Sequence, residues 1–396
     1  ASGPAASPYA GDFLQEWLGG WIVRAGDHDR FYDPQYAYQL QHDPALVGFA
    51  WNEDEYLPIV YPPFYYVVIC PLSFVPFHAA AWLWAGLMVG ALAASLFLLL
   101  RTYDGHFCPS MPGQECPAYV KMLPWLIPAA VFFQPVLESL SSSQKGTVCL
   151  LIFTATFAFW RQGRAFTAGA TFGLIAFKPQ LALVILAVAL WQRQGRFVAG
   201  VATTGIALLG VSLCLGLDVC WQYVQFALGT GDYMQTSGYD LHNSIWGFAQ
   251  LLMPHADGSL RTCFSLLMAA LVVYQLVRVF RSGFAIGDDH WPLQFSALTL
   301  GTLLLSPHLF TYDLTLLLLP MTLLLTLTVT AKATQQPLRW LLAILFIAPA
   351  ISTKLAATTG VQATVLVMLG LLSVIAYVAG QHPASDSLET KQPTPA

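Results

Sequence analysis

Hydrophobic residues in this chain are gathered into long, nearly uninterrupted runs that begin after Pro63 and continue to Val378. The first clear run, residues 79–100, would span about 33 Å as a helix, which is enough to cross the hydrocarbon core of a bilayer. The runs are continuous rather than alternating, which favours helices over a β-barrel. The pattern therefore predicts an all-α polytopic membrane protein with about eleven membrane helices. The ten further runs are residues 122–137, 147–160, 165–177, 181–192, 197–217, 262–279, 291–305, 314–330, 340–351 and 362–378.

The longest polar stretch lies ahead of these runs, at residues 11–63, and it carries nine of the chain's 21 carboxylates. Residues 64–76 are apolar but interrupted by Pro71 and Pro76, so we expect an interfacial helix there rather than a span. The pattern divides the chain into three parts. These are a large first outer (periplasmic) loop with interfacial helices at 1–78, a transmembrane helical domain at 79–380 and a disordered cytoplasmic tail at 381–396.

Basic residues set the predicted orientation, because the cytoplasmic loops of membrane proteins are enriched in Lys and Arg. With residues 11–63 outside and the helices alternating, 11 of the 17 basic residues fall inside. The short turns that carry Arg161 with Arg164 and Arg193 with Arg196 both lie on the inner side. We therefore expect a multi-pass protein of the cell inner membrane, with its functional site on the periplasmic or extracellular face.

The composition agrees with this class of protein and argues against others. Of the 396 residues, 56% are hydrophobic and only 10% are charged, whereas soluble domains carry about 25% charged residues. The net charge of −4 gives no basis for binding nucleic acid. Cys108 and Cys116 flank a loop where a disulfide is conceivable, but the predicted cytoplasmic position favours free thiols. The chain begins at Ala1 without Met or an apolar leader, so we expect that a segment was removed upstream.

The predicted topology brings five polar clusters to the outer face, whereas the inner face offers short basic turns and the loop near Cys108. Polar residues that converge on one face of a membrane protein mark its functional site. The clusters are residues 11–63, Glu138 with 141–146, 178–180, 218–244 and 306–313.

The main candidates also have structural interpretations. Asp12 precedes an apolar helix and fits an N-cap as well as a catalytic group. Lys178 stands between two apolar runs, where it either finds a partner or snorkels to the interface. His308 is equally compatible with a hydrogen-bonded packing residue, and residues 242–244 fit the cap of a short helix at 245–252.

A series of short motifs gives the chain a resemblance to a known family. The chain resembles the GT-C superfamily of membrane glycosyltransferases, and most closely glycosyltransferase family 87, which includes polyprenol-phosphate-mannose-dependent mannosyltransferases. The resemblance spans nearly the whole chain and rests on the order and spacing of the motifs. They are Gly11-Asp12-Phe13, Phe31-Tyr32-Asp33, Tyr61-Pro62-Pro63, Pro71-Leu72, Gln144-Lys145-Gly146, Lys178-Pro179-Gln180, Asn243-Ser244 and His308.

The resemblance implies a GT-C-like bundle and roles for three positions. In the family an Asp in the first outer loop is the catalytic base, and Asp12 matches it. A late His near the site corresponds to His308, and a Lys-Pro between two short helices corresponds to Lys178. There are two departures. The family has a membrane helix before the first outer loop, which would raise the predicted eleven spans to twelve, and its Gly-Gln-x-Asn pattern is reduced here to residues 144–147.

These residues suit the transfer of a sugar, expected to be mannose, from a polyprenyl-phosphate donor to a lipid or glycan acceptor. Asp12 would take the proton of the acceptor hydroxyl in an inverting direct displacement, with His308 orienting it or sharing the proton. Lys178 is suited to the leaving phosphate as a compact cation, and Arg24 or Arg30 would be further phosphate ligands. The absence of a Gly-rich phosphate loop argues against a nucleotide-sugar donor. The remaining candidate substrate-binding residues are Gln144, Gln180, His242, Asn243 and Tyr61.

No cofactor is predicted. The sequence Asp27-His28-Asp29 offers metal-ligand chemistry, but two carboxylates around a single His are a weak signal and do not indicate a metal. The predicted partners are the lipid-linked sugar donor, the acceptor and membrane lipids, with no nucleic acid.

The competing class is a transporter or flippase of lipid-linked sugars, which would also place polar residues at membrane depth. Such proteins more often have two similar halves and polar groups on both faces. The polarity here is one-sided and the first polar segment is large, so the sequence favours the enzyme.

Overall fold

The computed structural model of the chain describes residues 11–51, 55–104, 123–236, 242–286, 288, 290–330 and 335–381. These residues form α-helices joined by turns and short 3-10 segments, and the one pairing of strand type among them is an isolated antiparallel bridge between His242 and Phe310. The helices are α1 (Phe13–Ala25), α2 (Pro34–Gln41), α3 (Pro44–Val47), α4 (Pro63–Ile69), α5 (Phe77–Asp104), α6 (Leu123–Phe132), α7 (Gln134–Ser141), α8 (Gly146–Arg161), α9 (Ala165–Gly173), α10 (Leu183–Trp191), α11 (Gly195–Leu213), α12 (Leu217–Thr236), α13 (Ile245–Leu252), α14 (Gly258–Phe280), α15 (Trp291–Leu305), α16 (Leu318–Thr330), α17 (Gln335–Thr359) and α18 (Ala363–Gln381). The predicted cysteine loop at 108–116 and the tail beyond residue 381 lie outside the described residues.

Five of the described helices are long and apolar enough to cross a membrane, namely α5, α11, α14, α17 and α18. Their apolar surface is largely exposed, and in α11 only 17% of the most hydrophobic window is buried within the protein. A water-soluble protein would not leave such continuous apolar surface uncovered. The chain is therefore an all-α, multi-pass membrane protein. The other apolar helices have 10–17 residues, and the count of eleven membrane helices stays a prediction.

Several predicted elements have the expected bounds. The run at 291–305 is α15, and the short helix at 245–252 is α13. The run at 64–76 is broken as expected, because α4 gives way at Cys70 to a 3-10 segment (Cys70–Phe74) that contains Pro71.

The helices in the polar regions were less apparent from the pattern. The described part of residues 11–63 contains α1, α2 and α3, and every residue of α1 from Phe13 to Gly20 is buried. The 20-residue α12 occupies a stretch predicted only as an outer polar cluster. In both places Gln and Gly residues interrupt the apolar positions, so no long hydrophobic run marks the helix.

Aromatic side chains hold α1 against the start of α5 and the segment before it. The Phe13 ring stacks on Trp84 with 5.2 Å between ring centroids. The Trp17 indole N–H donates to the carbonyl oxygens of Leu72 at 3.1 Å and Val75 at 3.2 Å. These contacts fix the position of the N-terminal end of α1, where Asp12 lies.

The helices α9 and α11 approach each other closely through glycines. A Cβ atom at Gly200 would lie 2.2 Å from the Phe166 carbonyl oxygen, and one at Gly169 would lie 1.9 Å from that of Phe197. Small residues at such crossings let helix backbones touch, which is a common basis of helix association in membranes. Gly205, also in α11, has no neighbouring atom within 4 Å of its would-be Cβ.

We predict that Gly200→Ala destabilises the protein by about 1–3 kcal/mol, because the added methyl group overpacks the crossing of α9 and α11. The matched control is Gly205→Ala, which should be neutral or stabilise by up to about 1 kcal/mol through helix propensity. Thermal unfolding in detergent measures both variants. Equal melting temperatures for the two would show that the crossing is not tightly packed.

Candidate active site

Two consecutive residues in the turn between α7 and α8 contact two acidic residues of α1. Asp12 and Glu16 are four positions apart and so lie on the same side of the helix. The Gln144 side-chain amide donates from Nε2 to Oδ2 of Asp12, and the Lys145 ammonium donates to Oε1 of Glu16. Gln144 is 2% exposed, while Lys145 and Glu16 are fully buried. The turn and the helix are thus joined by two adjacent polar contacts, which we name the double contact.

The turn that supplies Gln144 is held in place by its neighbours. Ser139 accepts the Gln144 backbone N–H through its carbonyl oxygen and donates its hydroxyl to the Gln144 carbonyl oxygen, both at 2.8 Å. The Trp84 indole N–H donates to the carbonyl oxygen of Ser143 at 2.9 Å. Gly11 has a φ of +49°, and a Cβ there would come within 3.0 Å of the Ser142 carbonyl oxygen. Glycine before Asp12 therefore allows the backbone to come close to this turn.

Asp12 does not act as a helix cap. It stands at the N-cap position of α1, but its side chain makes no capping hydrogen bond. Burial raises the pKa of the Asp12 carboxyl above its ordinary value, and the ammonium groups of Lys145 and Lys178 together with the Gln144 hydrogen bond oppose that rise. The structural interpretation of Asp12 as a cap is therefore wrong, and the carboxylate faces a charged cluster instead.

A second buried ion pair adjoins Asp12. The Lys178 Nζ atom lies 2.5 Å from Oδ1 of Asp313, and the two side chains are 6% and 4% exposed. Lys178 also lies over the Tyr312 ring, with 4.9 Å from Nζ to the ring centroid. Because its side chain is buried and paired, Lys178 does not snorkel to an interface.

Tyrosines surround the Lys145 ammonium. Its Nζ atom is 4.0 Å from the centroid of the Tyr61 ring, a cation–π contact. The Tyr65 hydroxyl donates to Oε2 of Glu16, so both oxygens of this carboxylate are satisfied. The predicted substrate residue Tyr61 therefore belongs to the same cluster as Asp12.

The predicted residues His242, Asn243 and His308 form a neighbouring group. The Asn243 backbone N–H donates to the Leu309 carbonyl oxygen at 2.7 Å, and its Nδ2 donates to Oγ1 of Thr311 at 3.2 Å. The ring centroids of His242 and His308 are 6.0 Å apart. Burial lowers the pKa of His308. Within the described residues no hydrogen bond joins His308 to Asp12.

The remaining candidates lie elsewhere. Arg24 is twelve residues beyond Asp12, about 18 Å along α1, and its guanidinium lies over the Phe74 ring at 5.3 Å. Arg30 is exposed, pairs with Asp33 at 3.6 Å and stacks over Tyr36 at 3.9 Å. The structure does not bring Arg24 to the Asp12 cluster, and it gives Arg30 local partners of its own. Gln180 is half-buried in the 3-10 segment Pro179–Leu181.

In the described part of the chain, no group of three His, Cys, Asp or Glu side chains is arranged to hold a metal ion. Asp27, from the Asp27-His28-Asp29 sequence, instead accepts a hydrogen bond from the Tyr36 hydroxyl. The local contacts of this segment are those of a folded surface turn.

Sequence reasoning missed Glu16, Lys145 and Asp313 as members of the site. One available signal was that Glu16 follows Asp12 by one helical turn. Another was that Lys145, like Lys178, is flanked by apolar helices, where a charge needs a partner. The sequence does not show which carboxylate pairs with which lysine, because the partners are far apart in the chain. The sequence separation is 129 residues for Lys145 and Glu16 and 135 residues for Lys178 and Asp313.

The fold and this site define a multi-pass helical membrane protein that buries a cluster of ionisable side chains. The model of glycosyltransferase family 87 matches residues 59–307. This match covers more than half of the chain, so the chain belongs to glycosyltransferase family 87 and is a membrane glycosyltransferase. The matched range includes Tyr61, Lys145 and Lys178, while Asp12 lies upstream of it and His308 one residue beyond. No curated protein and no solved structure matches the chain.

We predict that Lys178→Met and Asp313→Leu each destabilise the protein by about 3–5 kcal/mol, because either change alone leaves an unpaired buried charge. Lys178→Met combined with Asp313→Leu should recover most of the loss, since apolar side chains of similar volume carry no such cost. Unfolding measurements on the four proteins form a double-mutant cycle. The control is Arg30→Ala at the exposed pair, which should cost at most about 1 kcal/mol. Additive losses in the double variant would contradict the pairing.

Proposed function

We propose that this glycosyltransferase moves a sugar from a polyprenyl-phosphate donor to a hydroxyl of a lipid or glycan acceptor on the outer face of the membrane. The transfer is an inverting direct displacement, and mannose is the expected sugar because of the family resemblance. The single observation that carries the proposal is the setting of Asp12. Its carboxylate caps no helix, is half-buried and lies close to two buried lysines.

Asp12 is proposed as the general base. A direct displacement needs one group that accepts the proton of the acceptor hydroxyl as this attacks the anomeric carbon, and one carboxylate is sufficient. Burial makes the Asp12 carboxylate more basic by raising its pKa, while Lys145 and Lys178 favour its ionised form. The two influences together suit a base that is ionised in the resting enzyme and accepts a proton during transfer.

Two buried polar atoms that lack partners support substrate binding, and the first of them belongs to the residue that contacts this base. Gln144 uses its Nε2 for Asp12, because a carboxylate can only accept, and its Oε1 is buried without a hydrogen-bond partner. The Nδ1 atom of His308 is also buried without a partner. Such groups are costly unless something else satisfies them. Hydroxyl groups of a bound sugar would do so at Gln144, and a hydroxyl or phosphate group would do so at His308.

Lys178 is proposed to bind the donor phosphate. Its ammonium group has three donors, and the pair with Asp313 uses one of them. The others remain for phosphate oxygens, whose charge the lysine would stabilise as the phosphate leaves. The proposal does not extend to Arg24 and Arg30, because their guanidinium groups are occupied by neighbouring rings and by a surface pair.

An apolar pocket beside the cluster is proposed to take part of a lipid substrate. Its volume is about 260 Å³. Pockets that hold a complete small molecule measure about 300–1,000 Å³, so this pocket suits a portion of a larger ligand. The Tyr32 hydroxyl links the pocket to the site by donating to the Tyr61 carbonyl oxygen at 2.7 Å. The lining residues are Tyr32, Asp33, Pro34, Ala37, Tyr56, Pro58, Ile59, Phe226 and Gly229.

We predict that Asp12→Asn nearly abolishes transfer, by about 10²–10⁴-fold, because the amide cannot accept the proton of the acceptor. Donor binding and the melting temperature should be nearly unchanged. The assay is sugar transfer from a synthetic polyprenyl-phosphate donor by the purified protein in detergent.

Asp43→Asn is the matched control for this experiment. Asp43 is exposed and does cap a helix, since its Oδ1 accepts the Ala45 backbone N–H at 2.9 Å. Asn caps a helix about as well as Asp, so this variant should transfer normally. Near-normal transfer by Asp12→Asn would remove Asp12 from the mechanism.

The proposed outer location of the site predicts a labelling pattern at the two ends of α8. Ser141, the last residue of α7, and Gln162, in the turn after α8, are both exposed near the two ends of α8, which is about 24 Å long. In a background without native cysteines, Ser141→Cys should react with an impermeant thiol reagent added outside intact cells, and Gln162→Cys should not. Both should react after detergent is added. Outside labelling of Gln162→Cys alone would reverse the proposed orientation.

A further inference from the structure

We propose that Glu16 and Lys145 are positioning residues that hold the Asp12 carboxylate in place and balance the electric field around it. The inference rests on the proposed role of Asp12 as the base. It assigns a function to a buried ion pair that touches no reacting atom in that proposal.

The geometry of the double contact couples the pair to Asp12. Asp12 and Glu16 are one turn apart on α1, about 6 Å along its axis. Gln144 and Lys145 are joined by a single peptide bond, and each contacts one of these two carboxylates. When Lys145 is held by Glu16, Gln144 is held at Asp12. A loss of the ion pair therefore loosens the only side-chain hydrogen bond that the described residues make to Asp12.

The pair is closed to substrates. Glu16 and Lys145 are both fully buried, and Glu16 has its two oxygens occupied by Lys145 and the Tyr65 hydroxyl. The Tyr61 and Tyr65 rings lie 4.0 Å and 5.5 Å from Nζ of Lys145. Neither charged group has an open side from which to contact a sugar or a phosphate.

Stability alone does not account for an ion pair at this place. Removing two charges from water costs several kcal/mol for each ion, and apolar residues of similar volume are often as stable or more stable. Unlike an apolar pair, however, an ion pair exerts an electric field on a neighbouring charge. The charge nearest along α1 is that of Asp12.

Two ion pairs set the electric field at Asp12, namely the Glu16–Lys145 pair and the Lys178–Asp313 pair. Lys145 and Lys178 stabilise the Asp12 anion, and Glu16 opposes it. Asp313 neutralises Lys178 in the second pair, and the phenols of Tyr61 and Tyr312 also face Asp12. Removal of either member of the Glu16–Lys145 pair leaves the other uncompensated, so the two removals act on Asp12 in opposite directions.

The test is the pH dependence of kcat/KM for transfer, whose acid limb reports the protonation of the free base. In Glu16→Gln, the unopposed Lys145 ammonium favours the Asp12 anion, so the acid limb should move to lower pH. In Lys145→Met, the unopposed Glu16 carboxylate disfavours that anion, so the limb should move to higher pH. Each shift should be about one pH unit. A purely structural role would reduce activity in both variants without opposite shifts.

The double variant Glu16→Gln with Lys145→Met keeps the cluster free of unpaired charge and serves where a single variant folds poorly. Its acid limb should stay near that of the native enzyme, but kcat should fall at least about tenfold because Gln144 is no longer held. Lys145→Arg keeps the charge and should also leave the limb in place. Asp43→Asn, at an exposed carboxylate, should change neither quantity. Full kcat in the double variant, or single-variant shifts in the same direction, would overturn the inference.

The experiments distinguish a failure of the positioning role from a failure of the proposed base, Asp12. If Asp12→Asn transfers sugar normally, the base assignment fails whatever the ion pair does. If Asp12→Asn is inactive while the Glu16 and Lys145 variants leave the acid limb in place, only the positioning role fails.

Discussion

The rest of the site depends on the requirement that a charge buried in an apolar protein must have a partner. Lys145 and Lys178 are both enclosed by apolar helices, and each is paired with a carboxylate from a distant part of the chain. These pairs draw α1 to the turn before α8, and the 3-10 segment at Thr311–Leu317 to the segment after α9. An unpaired ion in either place would cost several kcal/mol, so the four segments meet in a restricted arrangement. Asp12 lies at their meeting point, where the Gln144 amide donates a hydrogen bond to it and the buried charges surround it.

This arrangement explains why α1 is a buried helix in a segment that looks polar. Its apolar residues, such as Phe13 and Trp17, pack on α5 and on the Leu72–Val75 carbonyls, while Glu16 enters the charged cluster. The helix therefore contributes both to the core and to the site. A helix with only a solvated polar face would leave Asp12 in water, where its pKa would stay near the ordinary value and the lysines would act on it only weakly.

The general architecture was predictable because it follows from the hydrophobic pattern. Long apolar runs predicted the helices, and for α15 the predicted and observed bounds are the same. The position of Lys178 between two apolar runs marked it as a candidate site residue. The resemblance of the Gly11-Asp12-Phe13 motif directed attention to Asp12. The pairing of Lys145 with Glu16 was not predictable, because it depends on how α1 rotates about its axis and on the conformation of the turn at Ser143, which has a positive φ of 54°. Neither leaves a periodic signal in the sequence. The placement of Arg24 at the far end of α1 follows from helix geometry, but only once residues 13–25 are recognised as one helix.

The double contact also connects two parts of the chain that the family comparison treats differently. The matched range begins at residue 59, so it contains Gln144 and Lys145 but neither Asp12 nor Glu16. The buried Lys145 needs a carboxylate, and within the described residues Glu16 meets it with a direct ion pair. The matched range thus supplies the lysine of this ion pair, and a helix outside the matched range supplies its carboxylate. Asp12 lies at the start of that same helix, one turn before Glu16. The ion pair therefore provides a physical reason, independent of the motif, to include α1 in the candidate active site.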